Sequence, residues 1–258
     1  MQENTFKNAL AENTMQVFDT ISKLECIKDL VLCGGTAQSL QMSHRKSEDL
    51  DFELIGTKKS RPVLDAAGIL NEVQGKFPGA DYEALGPNHF LITLQGNVKL
   101  SFFRPENNVP TLTVGLRYNN IKTPTLQELL GMKLYVITQR TAFRDYYDIY
   151  SLLKKGYNLH DGIKYACDFS KHDIHSKDIL KRLVSPSLFK KDESFNQLNP
   201  IYNVNSNEIY KVIQNTMLAE TKNITDNDKI YKNIKASIFI IDFDNNRNDQ
   251  KQAKGIRR

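Results

Sequence analysis

The run from Leu30 to Leu54 constrains this chain most. Residues 30–33 are short and apolar, and the segment stops at Gly34-Gly35. A helical patch follows with Ala37 and Leu40 on one face, then a basic, polar stretch over residues 44–47. Asp49-Leu50-Asp51-Phe52 comes next, an acid alternating with an apolar side chain. The pattern reads as a buried strand, a glycine turn, a helix and a second strand. On a strand, residues two apart share a face, so Asp49 and Asp51 leave one side while Leu50 and Phe52 enter the core.

Each half of this run has an ordinary reading as well. A lone Gly-Gly is usually a plain strand-to-helix turn, and a lone D-x-D is usually the polar face of an edge strand. Together they make a different proposition. Glycine lets a ligand approach the backbone, and the free N–H groups at the following helix start suit a phosphate. Two carboxylates on one face suit a hard cation such as Mg²⁺, which takes oxygen ligands and bridges to substrate phosphates.

The 258 residues are 40% hydrophobic and 25% charged, which fits a globular protein with a sizeable core rather than a disordered or fibrous chain. A net charge of +5 is compatible with a nucleic-acid partner without requiring one. Cys26, Cys33 and Cys167 are odd in number and form no C-x-x-C pair, which argues for a reducing compartment and against structural zinc. The five histidines show no metal-ligand spacing. No secretory leader and no apolar run of membrane-spanning length is visible, so a cytoplasmic protein with no membrane partner is expected.

Around the central run, residues 3–25 place Phe6, Leu10, Phe18, Ile21 and Leu24 at near-helical spacing. Residues 62–77 predict a second helix opened by Pro62 and stopped by Pro78-Gly79. Three strands are expected at 82–85, 89–94 and 98–103, with turns at Gly86-Pro87-Asn88 and Gln95-Gly96-Asn97. Residues 104–124 read as irregular, with a short strand at 112–114. Thr125 and Glu128 form a T-x-x-E capping box that opens a helix carrying Lys133 among apolar residues. A further helix over 143–153 puts Arg144, Asp145 and Asp148 on one face. Helical patches follow at 160–170, 177–183, 207–219 and 226–234, and residues 242–258 lack any apolar periodicity.

The combination resembles a known family. Gly34-Gly35-Thr36, Leu40, Arg45, Ser47 and Asp49-Leu50-Asp51-Phe52, followed by Lys133, Arg140 and Arg144-Asp145-x-x-Asp148, resemble the AbiEii/MenT group of nucleotidyltransferases. These belong to the DNA polymerase β-like superfamily, and many are toxins of toxin–antitoxin or phage-defence systems. The resemblance spans residues 30–153 and does not reach the C-terminal third.

It implies an α+β fold with a mixed sheet flanked by helices and a mainly helical C-terminal region. The expected division is a nucleotidyltransferase core over 1–120 and a helical region over 121–240 completing the site, while the lack of apolar periodicity reads 241–258 as a disordered or partner-ordered tail. By position, Gly34 and Gly35 would contact a triphosphate, with Thr36 or Ser47 adding a hydroxyl and Arg45 a further contact. Asp49 and Asp51 would hold Mg²⁺, Lys133 would neutralise phosphate charge, and Asp148 would lie beside it. The implied activity is transfer of a nucleoside monophosphate from an NTP to a hydroxyl, with RNA (a tRNA 3′ end) as acceptor and a cognate antitoxin as partner. A small-molecule or protein hydroxyl, or nucleotide binding without catalysis, are the alternatives. One departure stands out: where many such enzymes carry a third acid on a later strand, this chain has Ser101 beside Lys99.

Overall fold

Five strands, β1 (Val31–Cys33), β2 (Leu50–Glu53), β3 (Asp81–Gly86), β4 (His89–Thr93) and β5 (Lys99–Phe103), form one mixed sheet in the order β1-β2-β5-β4-β3. The computed structural model describes residues 6–55, 63–105, 112–170, 173–189, 193–221, 229–230 and 232–237. β2 and β5 run parallel, and the other neighbours are antiparallel. The expected mixed sheet flanked by helices is therefore what the chain builds.

Alternation fixes the two faces of the sheet. Leu50 and Phe52, Leu100 and Phe102, and Phe90 and Ile92 all enter the core. The rings of Phe52, Phe102 and Phe90 stack in series across three strands, with centroids 5.4 and 5.1 Å apart. α1 (Glu12–Ser22) and α3 (Ala66–Lys76) contribute Phe18, Ile21, Ile69 and Val73 to the same core. Asp51, Glu53 and Ser101 belong to the opposite alternation. In register, Asp51 faces Ser101.

α4 (Leu126–Gln139) crosses that second face, and its start behaves as the sequence predicts. The Thr125 side chain accepts from the Glu128 backbone N–H, and the Glu128 carboxylate accepts from the Thr125 N–H. α4 also divides its burial. Leu129 and Met132 join the sheet's core, while Leu130, Leu134 and Ile137 join a second core. That second core is built with α5 (Phe143–Lys154), α6 (Leu159–Phe169), α7 (Ser176–Leu183) and α8 (Ser206–Thr221). Among the described residues no helix is long and apolar enough to cross a membrane.

Three expectations are corrected. The first helix begins at Glu12, because residues before it turn and Leu10 bridges Ser47 instead. Ala11 N–H donates to the Ser47 carbonyl and Ser47 N–H donates to the Ala9 carbonyl, so backbone pairing replaces helix there. The second helix starts at Ala66, where the Asp65 side chain accepts from Gly68 N–H; Pro62 lies outside the described residues. Residues 114–124 are no irregular stretch but a hairpin, β6 (Val114–Tyr118) and β7 (Ile121–Pro124), turning at Asn119 with φ +49°. The expected tail over 242–258 also lies outside the described residues.

Candidate active site

α2 (Gly34–Met42) starts directly from β1, with Cys33 at its N-cap and no side-chain cap. Its first N–H groups are left for another partner. Both glycines are required by what presses on this turn. Gly34 has φ +70°, and a Cβ there would lie 2.6 Å from Asp51 Oδ2. A Cβ on Gly35 would collide with the Arg45 guanidinium. The Asp51 carboxylate and the Arg45 cation thus lie against the helix start.

Arg45 belongs to a buried ion network. Its Nε and Nη2 donate to the two oxygens of Asp148 at 2.7 and 2.9 Å. His44 Nε2 lies 2.8 Å from Asp148 Oδ1, and Lys133 Nζ lies 2.7 Å from Asp148 Oδ2. Lys133 also donates to Asp145 Oδ1 at 2.9 Å, and Arg140 grips Asp145 through Nε and Nη2 at 2.8 and 3.1 Å. Both carboxylates are fully buried. Three cations, Arg45, Lys133 and Arg140, oppose two anions, Asp145 and Asp148, leaving one positive charge facing the cleft. Two of the three Lys133 N–H bonds are engaged, which leaves one for a ligand.

The ionisation states follow from these contacts. Burial opposes the charge on Asp148, but Arg45, Lys133 and the His44 hydrogen bond hold its carboxyl well below the usual range. Asp145 is lowered too, against burial, by Lys133 and Arg140. Burial and the neighbouring Arg45 and Lys133 lower His44, overcoming Asp148, so the ring is neutral at pH 7. Asp51 is shifted the other way. Burial raises its carboxyl and the like charge of Asp49 adds to this, with Lys133, Arg140 and Arg144 only partly offsetting them. A buried Asp51 carboxyl beside a second acid is an environment that a cation relieves.

Asp49, Asp51, Gly35, Ser47, Lys133, Arg140 and Arg144 line one small cleft of about 130 Å³. It opens on one side into a cavity of about 610 Å³ between the second sheet face and α4, which shares Gly35, Asp51, Lys133 and Arg140. On the other side lies a cavity of about 530 Å³ that shares Glu48, Asp49 and Arg144 and includes Asn13 and Lys99. The two acids therefore stand between two chambers. The larger suits a drug-sized ligand in volume. Among the described residues no cluster of three or more His, Cys, Asp or Glu could hold a metal. The donor set fits a hard ion held by two carboxylates, with the remaining positions left to substrate phosphate and water.

The structure brings together Gly34, Gly35, Arg45, Ser47, Asp49, Asp51 and Lys133. Asp148 lies beside Lys133, while Thr36 stands outside the cleft lining. The Thr36 hydroxyl is buried, donates to the Asp49 carbonyl and lies 2.8 Å from Ser47 Oγ. It positions the loop, and Ser47 is the hydroxyl lining the cleft. Both oxygens of Asp148 are filled by Arg45, Lys133 and His44, so this residue orients cations rather than reaching a ligand. The shared face expected for Arg144, Asp145 and Asp148 is also corrected: Asp145 and Asp148 point inward, while Arg144 is exposed and reaches the cleft.

His44 was not singled out in the sequence. No local signal marks it, because its partners come from elsewhere: Asp148, the Tyr147 hydroxyl that donates to its carbonyl at 3.1 Å, and Ile201 N–H at 3.0 Å. Glu53 was missed as well, although its place two residues beyond Asp51 puts it on the same strand face. It is 1% exposed, and burial pushes its carboxyl up to about 7 despite a hydrogen bond from Cys33.

Comparison with known proteins identifies the family. Residues 17–232 match the family model "Nucleotidyl transferase AbiEii toxin, Type IV TA system". The chain is 27% identical over 155 residues to the uncharacterized protein aq_aa25 of Aquifex aeolicus, covering 58% of this chain and 70% of that protein. Among solved structures, MenT4, a nucleotidyltransferase toxin of Mycobacterium tuberculosis H37Rv, superposes with a TM-score of 0.52 at 13% identity, over 93% of this chain and 98% of that one. JHP933 of Helicobacter pylori gives 0.49 at 18% identity, over 91% and 98%. At 13% identity the likeness to MenT4 speaks for the fold alone, but the family match covers most of the sequence: the chain is a nucleotidyltransferase and belongs to the AbiEii toxin family of type IV toxin–antitoxin systems.

Proposed function

We propose that this chain transfers a nucleoside monophosphate from an NTP to a hydroxyl of RNA, a tRNA 3′ end by family analogy, with Mg²⁺ as its cofactor. The observation that carries this reading is the cleft itself. Asp49 and Asp51 face the uncapped start of α2 on one side and the Lys133–Arg140 cations on the other.

In this reading the triphosphate lies against the N–H groups of Gly34 and Gly35, where the helix start favours negative charge. Lys133 offers its remaining N–H to phosphate oxygen, and Arg140 and Ser47 add donors at the rim. Asp145 and Asp148 hold these cations in place before substrate arrives, so little reorganisation is needed at the moment of reaction. Asp49 and Asp51 hold Mg²⁺, which when bound supplies charge neutralisation at the phosphates. The acceptor hydroxyl approaches from the Lys99 and Arg144 side. Its oxygen bonds to the α-phosphorus, the bond to pyrophosphate breaks, and the hydroxyl proton passes to the Asp49 carboxylate. Ser101, facing Asp51, offers no third carboxylate, which leaves two acids to serve both the ion and the proton. A cytoplasmic location and control by a cognate antitoxin accord with the family.

Incubation with each labelled NTP, Mg²⁺ and total tRNA tests the reading. Label on RNA is expected, and it should be lost in Asp49→Ala and Asp51→Ala with melting unchanged or raised. Label on protein or on a small molecule would move the acceptor elsewhere. Saturable nucleotide binding with no transfer would reduce the chain to a binding protein.

A further inference from the structure

Glu53 lines the 610 Å³ cavity and takes no part in the reaction above. Glu53 follows Asp51 by two residues on the same face of β2, about 7 Å further along the strand. Its Oε2 accepts from the Cys33 thiol at 3.4 Å. Its Oε1 is buried and has no hydrogen-bond partner among the described residues. A buried, unpartnered carboxyl oxygen is costly, and native proteins keep few of them without a reason.

The surroundings say what would complete it. Glu53 lines the cavity on the side of Asp51 away from Asp49, beyond the phosphate end of the cleft. Phe103, Tyr135 and Phe169 line the same cavity, and Met132 and Val136 of α4 add apolar surface. Apolar, aromatic walls around a few fixed polar groups are what a nucleoside fits. A triphosphate anchored at Gly34 and Gly35 would extend its sugar and base into this chamber.

We propose that Glu53 is a nucleoside-reading residue, whose unpartnered Oε1 accepts a hydrogen bond from an O–H or N–H donor of the bound NTP. This rests on the NTP reading of the cleft. A site that leaves an acceptor unpaired rejects ligands lacking the matching donor more strongly than an apolar pocket rejects a wrong shape. Glu53 therefore sets which nucleotide is preferred, while the phosphate contacts, common to all NTPs, set only that one binds. The donor belongs either to the ribose or to the base edge.

The test reads equilibrium binding by calorimetry, with Mg²⁺ and no RNA, using the four NTPs and the four dNTPs. Glu53→Leu removes both acceptor oxygens at similar volume, and Glu53→Gln keeps one. Glu53→Leu should weaken the preferred NTP at least about tenfold and leave the discriminated nucleotides near their original affinity. Collapse of the NTP-over-dNTP preference assigns the donor to ribose; collapse of the preference among bases assigns it to the base. Melting temperatures of both variants should match or exceed that of the parent. If Glu53→Leu fails to fold, Glu53→Met, which also lacks both oxygens, takes its place, and a change under twofold with unaltered preferences overturns the proposal. Parent-like affinities in both variants overturn it while leaving the proposed function intact. A parent protein that binds no NTP defeats the proposed function and this inference with it.

Discussion

Arg45 and Asp148 lie 103 residues apart and meet in the interior through two parallel N–H···O contacts of 2.7 and 2.9 Å. This pair ties the loop before β2 to α5, and so fixes the glycine turn, the acid pair and the helical region in one geometry. Lysine keeps the charge but loses the planar fork. Arg45→Lys should cost about 1–3 kcal/mol by leaving one Asp148 oxygen poorly paired. Urea unfolding measures it. An unchanged midpoint would mean the pair contributes nothing to stability.

The acid side of the stability curve follows from the same network. Asp145 and Asp148 have folded pKa values below their unfolded ones. Their contribution is complete above the unfolded value of about 3.9 and is lost as pH falls toward the folded values. Melting temperature should drop steeply below about pH 4, and Arg45→Lys should flatten that limb. A limb of equal slope in both proteins would place the acid sensitivity elsewhere.

Glu53 has the opposite sign. Its carboxyl rises from 4.5 unfolded to about 7 folded, so the protonated form stabilises the fold. That contribution is full below 4.5 and is lost as pH climbs through 7. The parent should lose melting temperature between pH 5 and 8, an effect worth about 3 kcal/mol at its upper bound, and Glu53→Gln should not. Identical profiles for the two would dispose of the assignment.

What the sequence displayed, and what it hid, has a physical pattern. Gly34-Gly35, the Asp49/Asp51 alternation and the Thr125/Glu128 box are local chemistry, and each fixes a structure within a few residues. The hairpin at 114–124 escaped because β6 is mostly exposed, and its Val114, Leu116 and Tyr118 alternation is too short to mark a buried strand by itself. Phe6 and Leu10 carried helical spacing, yet pairing with Ser47 decided their backbone. The inward turn of Asp145 and Asp148 depends on partners brought from His44, Arg45, Lys133 and Arg140, and no spacing inside α5 reveals them. Glu53 was visible as an acid on the right face, but only burial beside Cys33 distinguishes it from a solvated one.

The glycine turn tolerates no side chain. Gly34→Ala combines a left-handed backbone, costing about 1–2 kcal/mol, with a contact that displaces Asp51. Gly35→Ala pushes the Arg45 guanidinium and so disturbs its grip on Asp148. Both should lower transfer more than tenfold, an order-of-magnitude expectation for misplaced charge. Gly35→Ala should also lose part of the acid-limb slope, because it acts through Asp148. Transfer at parent rates in either variant would show that the turn is only a turn.

Asp51 gives the sharpest test of the metal assignment, because stability and activity should move in opposite directions. Its charge is held next to Asp49 in a buried setting that raises its pKa. Asp51→Asn removes that repulsion, so without metal the variant should melt at or above the parent, as expected where function maintains strain. Saturating Mg²⁺ and NTP should raise the parent's melting temperature by roughly 5–10 °C at about 100 times the dissociation constant. The variant should show little of this shift and no transfer. Differential scanning fluorimetry with and without Mg²⁺ reads both. A variant that melts lower than the parent without metal, or that keeps the full Mg²⁺-dependent shift, would remove Asp51 from the cation site and leave the acid pair without its chemical explanation.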